Sequence, residues 1–265
     1  MSKKASANFP EIVLIGAGNL ATHLGKCLYG KGFKIAQVYS KTQNSANILA
    51  KALKAEPITS FTSIKKDSDY YFICLKDDVI NESVSKIPVV KGIVIHTSGS
   101  VSMGLLSEKF EHCGVLYPIQ TFNKKIKKIS FKHIPLCTEA SNEYSLNSIL
   151  QLANTLSDDV RLINSKQRQV IHLAAVFACN FSNHLFAIAA DLLKKEEIDF
   201  SILYPLIVQT IEKVKSNTPL EVQTGPAVRS DLKTIEKHME LLQNEINYQE
   251  IYRVITGNIL NSHQK

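Results

Sequence analysis

The chain has 265 residues, 45% of them hydrophobic, enough for two domains or one large one around a substantial packed core. Its formal charge of +7 and pI of about 9.0 come from lysines that are mostly scattered, and, apart from Phe131, neither interleaved aromatic residues nor a helix-turn-helix or zinc-ligand spacing accompanies them. That pattern argues against a nucleic-acid partner and for solubility and the attraction of small anions. The one dense basic cluster, 124–132, reads as a solvated loop, with docking on an anionic surface as the weaker alternative.

Five cysteines, Cys27, Cys74, Cys113, Cys137 and Cys179, are odd in number, widely spaced and mostly set in apolar runs. They are expected to be small buried hydrophobes in a reducing compartment, with no metal site and no redox pair. The first residues lack the apolar core of a signal peptide, which points to the cytoplasm.

Residues 12–21 join a short apolar strand to a glycine turn that opens a helix, the pattern by which a chain grips a dinucleotide. Gly16 permits the tight turn, Gly18 lets the backbone approach a pyrophosphate, and Ala21 keeps the helix close to the sheet. Ala17, Asn19 and Leu20 complete the turn, and the helix start offers free N–H groups and positive dipole to phosphates. The amphipathic stretch 20–29 ends at Gly30, and 33–39 alternates as a second strand. Where an NAD enzyme usually carries an acid, this strand ends in Tyr39, Ser40, Lys41 and Thr42, with no acid until Glu56. Hydroxyls and an ammonium suit a ribose 2′-phosphate that a carboxylate would repel, so NADP(H) is expected over NAD(H).

A helix over 45–53, a strand over 70–75, a helix after Asp77 and a strand over 93–96 continue the alternation of a doubly wound sheet. Ligands in such sheets lie outside the carboxyl ends of the strands. Leu75 and Lys76 on one loop, and Thr97 and Ser98 on the next, are therefore assigned to the cofactor, near the nicotinamide ribose. Asp77 has the alternative role of capping its helix. After a strand over 114–117, Gln120 and Thr121 either meet substrate or satisfy their own loop.

Beyond a last strand at 160–163, helical periodicity takes over, placing a boundary near 163–164. A helix over 166–193 carries the run Leu173-Ala174-Ala175-Val176-Phe177-Ala178-Cys179, apolar on every side, and is expected to be buried on all faces. The stretch 170–190 is long enough to span a bilayer, yet His172, Asn180, Asn183 and His184 favour a buried helix over a membrane span. Helices over 201–215, 231–245 and 248–261 supply some of its neighbours, and a second subunit the rest. Asn180 and His184 share a face, with His172 two turns before Asn180. These three are the candidate catalytic residues, Asn180 to orient substrate and a histidine to move a proton; a structural role for the histidines is the alternative. Ser230 or Asp231 is expected to cap the next helix, and Arg229 is a candidate clamp for an anionic substrate.

The glycine turn, the Tyr39-Ser40-Lys41-Thr42 strand end, the Tyr117-Pro118-Ile119-Gln120-Thr121-Phe122 segment, the helix from His172 to His184 and the Thr224-Gly225-Pro226-Ala227 turn together resemble the bacterial NADP oxidoreductases that join a Rossmann-like domain to a helical domain of unknown function. The resemblance spans nearly the whole chain. It implies kinship with pyrroline-5-carboxylate reductase, the deazaflavin-dependent NADP reductases and the 6-phosphogluconate dehydrogenase superfamily, and a homodimer formed through the helical domain. One departure stands out: the β-hydroxyacid dehydrogenases of that superfamily use a Lys-x-x-x-Asn helix, and four residues before Asn180 this chain has Val176.

Residues and resemblance together predict a Rossmann-type doubly wound parallel sheet over 1–164 followed by an all-α domain of the 6-phosphogluconate dehydrogenase C-terminal type over 165–265. The implied activity is NADP(H)-dependent reduction of a small carbonyl or imine, with neither nucleic acid nor membrane as partner. The alternative, motivated by the missing lysine, is a non-catalytic NADP(H) sensor.

Overall fold

A computed structural model describes residues 9–126 and 129–263, so the N-terminal residues 1–8 and, within the basic cluster, Lys127 and Lys128 lie outside the described residues. The chain packs as two compact units, Met1–Ala178 and Cys179–Lys265.

The first unit is built on a sheet of eight described strands in the order β3-β2-β1-β4-β5-β6-β7-β8. In chain order these are β1 (Glu11–Ile15), β2 (Lys34–Tyr39), β3 (Glu56–Ile58), β4 (Tyr70–Ile73), β5 (Ile93–His96), β6 (Cys113–Pro118), β7 (Leu136–Ala140) and β8 (Val160–Leu162). All neighbours run parallel except β6 and β7. The helices of this unit are α1 (Asn19–Gly30), α2 (Gln43–Leu53), α3 (Asp77–Lys86), the single turn α4 (Gly104–Ser107), α5 (Glu143–Leu156) and α6 (Ser165–Ala175).

The central strands β1, β4 and β5 are continuous apolar runs because helices cover both faces of the sheet. Alternate side chains divide them between two cores: Ile12 and Leu14 pack with Leu24 of α1, Leu53 of α2 and Ile149 of α5. Val13 and Ile15 pack on the other face with Ile80 and Val84 of α3 and Leu106 of α4. The chain reverses winding between β1 and β4, which opens the crevice at their carboxyl ends.

The expected strands and helices of this unit are present. Strands β3 and β7, the single turn α4 and helix α5 add to them; α5 starts under an Asn142 cap whose side chain accepts from Ser145 N.

The second unit is helical: α7 (Ser182–Lys195), α8 (Tyr204–Ser216), α9 (Leu232–Leu241) and α10 (Ile246–His263). Asp231, not Ser230, caps α9, accepting from Thr234 N. Tyr252 of α10 meets His238 Nδ1 of α9 at 2.8 Å, and Tyr248 donates to Asp191 of α7 at 3.1 Å.

Two expectations are corrected. The helix over 166–193 is not uniform: between α6 and α7 lies a π-helical turn, Val176–Phe181. Nor is it buried on all faces, since Leu173 is 58% and Phe177 62% exposed. An apolar run records that a side chain wants cover, not that its own chain supplies it. For the same reason Cys179 is exposed, whereas Cys74, Cys113 and Cys137 are buried and Cys27 half-buried. The stretch Ser165–Lys195 is long and apolar enough to cross a membrane by composition alone.

The amino end of the sheet is tied by Glu11, which pairs with Lys34 at 2.6 Å and also with Lys65, and accepts from Ser68 at 2.8 Å. Burial works against the Glu11 carboxylate, but the hydrogen bonds of Lys34, Lys65 and Ser68 outweigh it and hold its pKa down at about 2, against the ordinary 4.5. A lowered carboxylate pKa stabilises the fold fully above the ordinary value, and that contribution is lost as pH falls toward 2. Glu11→Gln is therefore expected to be less stable than wild type near neutral pH, with the two melting curves converging in acid. A gap that stayed constant with pH would refute this.

Candidate functional site

Strand β1 delivers the glycine turn to the crevice. Gly16 has φ +123°, and a side chain there would place its Cβ 2.4 Å from the Cys74 carbonyl oxygen of the neighbouring strand end. Gly18 is the N-cap of α1 and differs in kind: its φ is −77°, and a Cβ added there meets nothing within 4 Å. No side chain caps this helix and no acid lies in its first turn. The N–H groups of Asn19, Leu20 and Ala21 thus precede the first intrahelical bond, Thr22 N to Gly18 O, and with the open space beside Gly18 form a cradle that fits a pyrophosphate. Ala21 is fully buried, as close helix-sheet packing requires. Lys124 adds charge here: its backbone N–H donates to Asn19 Oδ1 at 3.3 Å and its Nζ lies 3.4 Å from the Ala17 carbonyl oxygen.

At the end of β2 the Tyr39 ring stacks on Phe61 at 4.2 Å. Ser40 anchors its N–H on the Ile58 carbonyl, Lys41 is exposed, and Thr42 caps α2 through Ser45 N. The Thr42 oxygen is thereby committed to the helix.

The loops after β4 and β5 meet beside the turn. A Cβ at Gly16 would lie 3.3 Å from the Leu75 side chain, and Lys76 precedes α3 without a side-chain cap bond. Asp77 sits in the first turn of α3 rather than capping it, and its carboxylate takes the Ser100 hydroxyl. Thr97 Oγ1 donates to the Ile73 carbonyl, and Ser98 Oγ accepts from the N–H groups of Ser100 and Val101 at 3.1 Å. Their side chains hold the loop shape, and what they offer a cofactor is a fixed backbone. His96, at the end of β5, is fully buried; burial and then the nearby Arg168 charge push its pKa down to about 3, so it stays neutral.

Helix α6 packs over this edge. The Arg168 side chain is fully buried, pairs with Glu139 at 2.6 Å, and donates to the carbonyls of Ser98 at 3.2 Å and Val101 at 2.6 Å. One turn later His172 Nδ1 lies 3.0 Å from the Tyr117 hydroxyl at the end of β6. A Cβ at Gly99 would come within 2.6 Å of the His172 ring, so only glycine lets the loop back this closely against the imidazole.

His172 was legible as a candidate from the sequence; Tyr117, as a partner in chemistry, and Arg168 were not. The available signal was that Arg168 precedes His172 by four residues, on one helix face, and that Tyr117 stands at a strand end. Gln120 turns back on its own loop, its Oε1 accepting from Thr121 N at 2.9 Å, and both residues are exposed. In the second unit Asn180 lies exposed in the π turn and His184 exposed on α7. Arg229 is exposed near Asp231, whose carboxyl is held down first by the hydrogen bonds of Thr234 and further by the Arg229 charge. The Thr224–Ala227 turn lines an apolar cavity of about 270 Å³ with Leu185, Leu192 and Tyr252.

The sheet order, the switch point and the uncapped glycine turn define the class: a Rossmann-type dinucleotide-binding domain followed by a helical C-terminal unit. Residues 11–98 match the family described as NADP oxidoreductase coenzyme F420-dependent, and 134–259 match a domain of unknown function, DUF2520. A crystal structure from Bacteroides fragilis, titled "putative NADP oxidoreductase", is 40% identical with a TM-score of 0.90, covering 98% of this chain and 100% of that one. The chain belongs to this NADP oxidoreductase family. A reductive aminase from Aspergillus terreus, solved with NADPH and ethyl-5-oxohexanoate, shares the fold at 12% identity and a TM-score of 0.72, over 97% of this chain and 94% of that one. So does the 1-pyrroline-5-carboxylate reductase of Streptococcus pyogenes, at 14% identity and a TM-score of 0.63, over 98% and 100%. No curated protein matches the chain.

The two glycines separate folding from binding. Gly16→Ala is expected to destabilise the protein through the Cys74 carbonyl clash and the positive φ. Gly18→Ala is expected to melt like wild type and still lose NADPH affinity by tenfold or more, about 1.4 kcal/mol, read by calorimetry.

Proposed function

We propose that the protein is an NADPH-dependent reductase of a small neutral carbonyl or imine compound. The observation that carries this reading is the open cradle at Gly18, an uncapped helix start free of acids. It sits in a unit whose second strand ends in Ser40 and Lys41 with no carboxylate in the ribose position. The backbone N–H groups of residues 19–21 would hold the pyrophosphate, and Ser40 and Lys41 the 2′-phosphate. Leu75, Lys76, Thr97 and Ser98 would line the path toward the nicotinamide at the carboxyl ends of β4 and β5. When bound, NADPH supplies hydride; the protein's part is placement and a proton.

The contact of His172 with the Tyr117 hydroxyl at that edge supports it as the histidine that serves proton transfer. The reductive aminase and pyrroline-5-carboxylate reductase of like fold support a C=O or C=N group as the acceptor. Asn180, His184 and Arg229 remain the second unit's candidates for orienting substrate. Val176, in place of the hydroxyacid dehydrogenase lysine, speaks against that family's proton route.

Calorimetry with NADPH and NADH tests the nucleotide assignment. Wild type is expected to prefer NADPH, and Lys41→Glu to abolish the preference by weakening NADPH alone. Binding of neither nucleotide would end the reductase reading.

The helical unit leaves Leu185, Leu206, Val208, Ile211 and Val254 exposed. This is more apolar surface than a monomer tolerates. A second copy of the chain is the proposed cover, giving a homodimer through the helical unit. Light scattering should report twice the chain mass of 29.5 kDa, and Leu206→Glu with Val208→Glu should shift it toward one. A wild-type mass of one chain would refute the dimer.

A further inference from the structure

We propose that Tyr117 is the proton donor to the substrate heteroatom and that His172 positions and reprotonates it. The proposal rests on the reductase reading above and deepens it by naming the acid and the kind of acceptor it serves.

Four observations support the assignment. Tyr117 is the next-to-last residue of β6, which runs parallel to β5 and brings it to the carboxyl edge, where the crevice of a doubly wound sheet receives substrate. Its hydroxyl is 3.0 Å from His172 Nδ1, and the two rings stand edge to face with centroids 6.0 Å apart. The imidazole is fixed from both sides of the pair: the Gly99 backbone backs its ring, and Arg168, four residues earlier, locks α6 to the Ser98 and Val101 carbonyls. Finally, Tyr117 is only half-buried, unlike the structural Tyr71 of β4, which is wholly enclosed and whose hydroxyl is spent on the Lys65 carbonyl.

Burial pushes the Tyr117 phenol above its ordinary value, Cys137 of β7 and Asp77 of α3 add to this, and Arg168 of α6 opposes it. The phenol is therefore protonated at neutral pH and able to donate. With bound NADPH supplying hydride to the carbonyl carbon, the C=O π pair would move to oxygen, and that oxygen would take the Tyr117 proton. In the Nδ1–H tautomer His172 would give that proton to the phenolate as Nε2 takes one from water, which leaves as hydroxide, and solvent exchange would then return the ring to its starting tautomer. A protonated cyclic imine needs no such acid, because its nitrogen already carries the proton. The acceptor that requires Tyr117 is thus a neutral carbonyl.

The test compares wild type, Tyr117→Phe and His172→Ala on a panel of small ketones, aldehydes and protonated cyclic imines, with the NADPH Kd measured for each protein. Tyr117→Phe is expected to lower kcat on carbonyls by roughly 10²–10⁴-fold, to erase the solvent deuterium isotope effect, and to leave the NADPH Kd unchanged. Its loss on protonated imines should be small. His172→Ala is expected to lower kcat less and to shift the pH profile of kcat with KM held. Without any substrate, the Tyr117 phenol, followed as the ultraviolet difference between wild type and Tyr117→Phe, should ionise at higher pH in His172→Ala.

Carbonyl turnover by Tyr117→Phe at the wild-type rate, equal losses on carbonyls and protonated imines, or a phenol titration unmoved by His172→Ala would each overturn the assignment. Tight NADPH binding with no wild-type turnover on any panel member would instead overturn the reductase reading beneath it.

Discussion

The buried guanidinium of Arg168 is the constraint on which the arrangement of the first unit depends. A charge with no exposed side-chain surface must be paired and hydrogen-bonded, and here one carboxylate and two backbone carbonyls do both. Removing one partner from such a pair costs about 3–5 kcal/mol, since the other charge stays behind unpaired. The geometry that satisfies Arg168 joins three elements distant in sequence: Glu139 on β7, the loop after β5, and α6. Ser165 reinforces the seam, donating to Glu139 at 2.7 Å and accepting from Met103 N at 3.0 Å. His172 then stands where it does because the helix carrying it has been fixed one turn earlier.

The same unit keeps two kinds of polar surface apart. At the amino edge of the sheet, Glu11 gathers Lys34, Lys65 and Ser68 into a closed cluster with nothing left over. At the carboxyl edge the balance is open. The first turn of α1 has no cap and no acid, and Lys124 reaches it, with its Nζ 3.4 Å from the Ala17 carbonyl oxygen. Positive potential left unsatisfied in a crevice is a standing cost that a bound anion offsets. The loops that border it are, by contrast, internally satisfied through Thr97, Ser98 and the Ser100–Asp77 bond. Rigid walls around an electropositive floor suit a ligand held mainly by its phosphates.

Much of this was legible from residues alone, and the legible parts share a cause. Gly16 and Gly18 act through backbone geometry within a few residues, and the runs 12–15, 70–73 and 93–96 act through burial on both faces of a sheet. These are local or periodic constraints. The Asn142 cap and the apolar period of α5 were equally local and equally readable, whereas β7 closes on a polar Thr-Glu pair that carries no strand signal. Arg168 and Tyr117 were illegible for a different reason: in sequence each is an unremarkable side chain, and their roles exist only through partners 29 and 55 residues away.

The burial of the long helix marks the limit from the other side. Leu173 and Phe177 announced a need for apolar cover, yet the folded chain leaves them 58% and 62% exposed, because composition specifies the demand and not how it is met. By itself, then, the sequence determined the dinucleotide turn, its electropositive character, the doubly wound alternation and the switch to helices, all of which follow from spacing and local chemistry. Only the tertiary structure decided that Tyr117 meets His172 and that Arg168 seals α6 to the sheet, because long-range pairing depends on how distant segments come together and leaves no periodic trace along the chain.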